Sequence, residues 1–89
     1  MSSKRKLKKD VNYIAYELLT ECFTLRHFHP GVDEKKFDKT VREVVNKRNE
    51  LISRVNNPEG KEGENLKNYY NKIRAEMVEL VAIVEKLTA

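Results

Sequence analysis

Cys22, His27 and His29 are the residues whose types and closeness most suggest a metal site. A tetrahedral zinc ion needs three or four converging ligands, commonly supplied as paired motifs. Positions 22 and 27 are five apart, which on a helix separates their side chains by roughly 140°. The chain holds no second Cys or His pair. Histidines in a last helical turn favour the carbonyl end of the helix dipole instead, so no metal is expected. Glu17, Glu21, Glu43, Glu50, Glu76 and Glu79 invite comparison with carboxylate-bridged iron bundles, but those also need Glu-x-x-His motifs on facing helices. None occurs here. Gly60 and Gly63 lack the preceding strand and the following Lys-Ser/Thr of a phosphate-binding loop. With no nucleophile beside a base, no catalytic residue, cofactor or small-molecule ligand is assigned. The chain is not expected to be an enzyme.

Two charged residues interrupt otherwise apolar spacings. Continuing the four-three repeat places Glu21 in the seam of a first helix and Arg48 in that of a second. Both are expected at stripe edges, the arginine stem covering apolar surface while its head reaches water, because an isolated buried charge is costly. Counting register through the two breaks in the chain puts Glu17 and Glu76 within one helical turn of Arg48. The expected polar seam is therefore Arg48 paired with Glu17 or Glu76. Arg48-Asn49 also resembles the Arg-Asn start of the short motif in HEPN ribonucleases, helical bundles that cut RNA. In that family a catalytic His follows after four intervening residues; here that position is Ser53. The resemblance spans two residues and implies a degenerate relative lacking the catalytic His, since no imidazole stands there as general acid or base.

Among the aromatics, Tyr13, Tyr16, Tyr69 and Tyr70 draw most notice. Tyr70 belongs to the apolar seam, while Tyr13 and Tyr69 flank it. A flanking tyrosine is either core margin, ring buried and hydroxyl wet, or an interface anchor. Val45, Ile52, Val78 and Val81 widen the apolar faces beyond one seam, so these four with Tyr13 and Tyr69 form the candidate interface. Lys4, Arg5, Lys6, Lys8 and Lys9 carry five of the eighteen positive charges. Without them thirteen basic residues face fourteen acidic ones, so the net charge of +4 is the property of one segment. Residues 1–9 are read as a basic N-terminal tail, partly helical or disordered. As a solvated terminus it needs no function; as a phosphate contact it would bind nucleic acid with salt-sensitive affinity. As a membrane-surface arm it is weak, because only Leu7 offers an apolar insertion group.

The elements that must position these residues are helices. His29-Pro30-Gly31 is a strong break, since Pro disfavours the helical region for the residue before it and Gly tolerates left-handed turns. Residues 56–63 form a longer polar loop with two glycines. Between the breaks, apolar residues recur every three and four places, and nothing shows the alternation of a strand. The first stripe is Leu7, Val11, Ile14, Leu18, Cys22 and Leu25, widened by Ala15, Leu19 and Phe23. The second is Phe37, Val41, Val44, Leu51 and Val55, preceded by Asp33 as a helix cap. The third is Leu66, Tyr70, Ile73, Met77, Leu80, Val84 and Leu87. Short connections make consecutive helices antiparallel, so the expected fold is all-α, an up-down-up three-helix bundle with helices about 5–28, 33–56 and 64–88.

Eighty-nine residues suit one domain, taken as 10–89. A lone cysteine among apolar neighbours suggests a reduced, buried thiol and a cytoplasmic setting. The basic start runs into mixed polar residues rather than a signal-peptide core, and no segment approaches the roughly 20 apolar residues of a membrane span. Three rods of this length leave apolar surface for a partner to cover. The expected function is thus a small non-enzymatic helical interaction module, self-associating or binding a protein partner through apolar helix faces. The alternatives are an accessory nucleic-acid-binding protein using the basic segment and a degenerate HEPN-like relative.

Overall fold

Three helices occupy nearly all of residues 2–58 and 63–88, the parts of the chain described by the computed structural model: α1 (Ser2–Phe28), α2 (Glu34–Asn56) and α3 (Gly63–Glu85). A single 3-10 turn, Lys86–Thr88, closes α3, and no strand occurs among the described residues. Each helix packs against both others. The Lys4 ammonium near the start of α1 reaches the Asn56 carbonyl at the end of α2 (3.3 Å), and the Tyr69 hydroxyl near the start of α3 donates to the Arg54 carbonyl (3.0 Å). Consecutive helices are therefore antiparallel, in a rod of 48 × 18 × 17 Å.

The apolar repeats explain why these segments pair. Leu7, Val11, Ala15, Leu18 and Cys22 of α1 meet Phe37, Val44, Leu51 and Val55 of α2 and Tyr70, Ile73, Met77, Leu80 and Val84 of α3 in one buried cluster, with Leu87 of the closing turn. Ile14, Leu25, Val41 and Leu66 lie at its margin, half-buried. Thr40 is the one polar residue buried among those described; its hydroxyl donates to the Lys36 carbonyl one turn back (2.9 Å), which removes the cost of hiding it.

Three local features refine the sequence reading. Residues 2–9, read above as a basic segment partly helical or disordered, are helical as the opening turns of α1, and Leu7, the first residue of the stripe, is fully buried. One apolar residue among five cations suffices because it continues the spacing of Val11 and Ile14 onto the bundle. The last turn of α3 tightens to 3-10, common at helix ends, and keeps Leu87 in the core. The first break is a turn closed by Val32 N–H donating to the His29 carbonyl (3.0 Å), with Pro30 and Gly31 at its centre. A side chain at Gly31 would meet nothing within 4 Å and its φ is not left-handed, so Pro30 rather than Gly31 enforces the stop. Asp33 then caps α2, its carboxylate accepting from Lys35 N–H at 3.0 Å.

Candidate functional site

Two polar arrangements hold neighbouring helices, and their chemistry differs. Between α2 and α3, Glu76 is gripped by both nitrogens of the Arg54 guanidinium (2.9 Å each) and by the Lys47 ammonium (2.7 Å). Glu50 lies 3.5 Å from both cations, and Arg54 also stacks over the Tyr69 ring at 5.7 Å. The hydrogen bonds from Arg54, then those from Lys47, pull the Glu76 carboxyl down to about 2. Reciprocally, Glu76 raises the affinity of both bases for their protons. The cluster is a clasp with its charges satisfied internally.

Between α1 and α2 the polar link is uncompensated. Arg48, expected to pair with Glu17 or Glu76, instead donates from Nε to Asn12 Oδ1 and from Nη1 to Asn49 Oδ1, both at 2.8 Å. Glu17 is exposed and Glu76 belongs to Lys47 and Arg54. Each residue step turns a helix by about 100°, so Lys47 and Arg54 look toward α3 while Arg48 looks toward α1. Amide oxygens orient a guanidinium without neutralising it, and no carboxylate among the described residues lies within ion-pair distance of Arg48.

Arg48 stands at the edge of an open groove of about 290 Å³ along the α1–α2 junction. Its floor is Ala15 and Leu19 of α1 and Val45 of α2, its walls are Tyr16, Asn12 and Asn49, and its lining is mainly apolar. Tyr16 is 68% exposed, so its ring stands in water at the groove; Tyr13, 64% exposed, lies outside the groove lining on the solvent side of α1. Farther along the junction Phe23 meets Phe37 edge-on at 5.5 Å, and Arg26 covers Phe37 at 4.7 Å. The first turns of α1 bring the basic run to the groove's other end. Arg5 and Lys8 stand seven and four positions before Asn12, and Lys9 four before Tyr13 and seven before Tyr16, spacings that share a face. Arg5 and Lys9 are exposed; Lys8 is half-buried.

The residues named from sequence as an interface do not form one surface. Val45 lines the groove, whereas Tyr13 is exposed on α1 outside the groove lining. Ile52 is half-buried and packs on the core, and Tyr69 is tied to Arg54 on the α2–α3 side. Val81 is half-buried on α3, and Val78, 58% exposed, is on α3 too; α3 contributes nothing to the groove. Asn12 is the groove residue that sequence reasoning passed over; Tyr16 and Leu19 were named there, as an aromatic of note and as stripe margin, but not as part of the interface. The signal was present: twelve, sixteen and nineteen repeat at four and three beside the main stripe.

Cys22 is fully buried, and burial above all, with Glu21 adding, pushes its thiol up and away from the reactive thiolate. His27 rests edge-on against Phe28. Among the described residues no three His, Cys, Asp or Glu side chains converge as a metal ion requires. No helix is long and apolar enough to cross a membrane. Compared with protein-family models, with curated proteins and with solved structures, the chain matches none of them.

Proposed function

We propose that this chain is a non-enzymatic helical interaction module that engages its partner along the α1–α2 groove. The observation that carries the reading is the groove itself: exposed tyrosine and valine with half-buried leucine, beside an arginine that no carboxylate among the described residues neutralises. Aromatic and arginine side chains contribute disproportionately to binding free energy when a partner removes them from water. The other groove between helices, at α2–α3, is edged by Glu43, Glu50, Glu76 and Glu79 around the clasp and offers no comparable exposed aromatic. A free, buried Cys22 supports a reducing compartment such as the cytoplasm as the working environment.

The test is a double variant, Tyr16→Ser with Val45→Ser, compared with wild type in affinity capture from the native host's extract, with protein and nucleic acid both identified. The substituted side chains are exposed, so the helical circular dichroism and Tm should hold while the captured set disappears. An identical captured set from both proteins would exclude the groove as the working surface.

A further inference from the structure

We infer that the partner of this groove is an unpaired nucleic-acid strand, its phosphates held by Arg5, Lys8, Lys9 and Arg48 and a base stacked on Tyr16. The inference rests on the interaction-module reading and names its ligand by charge and shape. Along the stretch from Arg5 to Tyr16, about 17 Å of helix, the α1–α2 face carries cations, the exposed ring of Tyr16 and two amides. Sequence-tolerant single-strand binders combine these elements: a positive track for the backbone and aromatic faces for successive bases.

The distribution of carboxylates sharpens the choice. Asp10, Glu17 and Glu21 follow their own seven-four repeat, which puts them on the shoulder of α1 turned away from α2. Glu50, the only acid of α2 between Val45 and Asn56, is drawn to Lys47 and Arg54 on the α3 side. The end of the groove where the basic run meets Arg48 is therefore free of negative charge among the described residues. Arg48 is also presented rather than consumed. Asn12 and Asn49 fix its plane through Nε and Nη1, leaving Nη2 to donate to a phosphate or stack on a base.

The basic run cannot be tested by deletion, because Leu7 within it belongs to the core. Point variants of the full chain serve instead, checked for unchanged helical circular dichroism. Fluorescein-labelled twelve-nucleotide oligo(U) and oligo(dT) are titrated by anisotropy across 25–200 mM salt, with a self-complementary duplex as comparison. Wild type should bind the single strands with Kd on the order of 10⁻⁶–10⁻⁴ M near physiological salt, and log affinity should fall against log salt with a slope of about −3 for four phosphate contacts. Arg5→Ser with Lys9→Ser should make the slope shallower by about 1.4. Tyr16→Leu should weaken binding roughly tenfold and leave the slope unchanged. Absence of salt-dependent oligonucleotide binding would overturn the inference, as would tighter binding of the duplex or indifference to Tyr16→Leu. If wild type ignores the oligonucleotides while the Tyr16–Val45 double variant still loses a captured protein, the ligand assignment fails and the module reading stands. Light scattering that shows a mass rising with concentration, abolished by Tyr16→Leu, would assign the groove to a second copy and overturn the inference as well.

Discussion

Glu76 shows how much one side chain carries in so thin a molecule. Its carboxylate is mostly buried and accepts three hydrogen bonds from two cations on the neighbouring helix. The folded protein holds this group ionised down to about pH 2, against about 4.5 for an unperturbed glutamate. The unfolded chain thus takes up the proton first as pH falls. The stabilisation is complete above about pH 4.5 and drains away toward pH 2. Glu76→Gln leaves Arg54 and Lys47 facing a neutral amide and should cost about 1–3 kcal/mol at pH 7. Measured by urea unfolding, the gap between wild type and variant should close as pH drops from 5 toward 2; a constant gap would show that the ion pair contributes nothing. Sequence counting brought Glu76 within one turn of the right height but gave it Arg48. Axial register is tolerant to a few ångströms, whereas a step of one residue rotates a side chain onto another neighbour. The facial assignment of charges at the stripe edge was for that reason not legible, while the buried positions, fixed by a repeat of many residues, were.

The limits of α1 make the same point for a whole element. Five cations in six positions from Lys4 to Lys9 read as a solvated arm, yet the residue between them, Leu7, is as deeply buried as Val44 or Ile73. Leu7→Ala should therefore cost about 2–5 kcal/mol, as for a core leucine. Lys6→Ala, one position away and exposed, should stay within about 0.5 kcal/mol. Thermal unfolding followed by circular dichroism distinguishes the two readings: equal, small effects would return residues 2–9 to the status of an arm. The three helices and both breaks were legible because each stripe repeats for several turns and Pro30 interrupts the first cleanly. The start of α1 was legible in part: Leu7 opens the first stripe, while the five cations around it gave no periodicity to show how far the helix extends toward residue 2. The groove was half legible. Val45 was marked as surplus apolar surface, but Tyr16 and Leu19 acquire meaning only when α1 and α2 are seen side by side.

At the scale of the molecule, a rod 48 Å long and under 20 Å wide has a core only one buried row per helix deep. Each core residue packs only against the layers next to it, and no segment has a separate interior to fall back on. Met77 lies fully buried in the middle of α3. Truncating it to Ala opens a cavity facing both other helices and should cost about 2–5 kcal/mol, lowering Tm by more than about 10 °C in a chain of this size. Because the cluster runs unbroken from Leu7 to Leu87, the loss should be felt as one event. The helical signal at 222 nm and the fluorescence of the four tyrosines, two midway along α1 and two near the start of α3, should melt together in wild type and variant alike. If tyrosine fluorescence in Met77→Ala changes well before the helical signal, the rod unfolds in sections. The basic end of α1 could then open independently of the α2–α3 clasp, and the groove that depends on both α1 and α2 would be an intermittent feature rather than a standing surface.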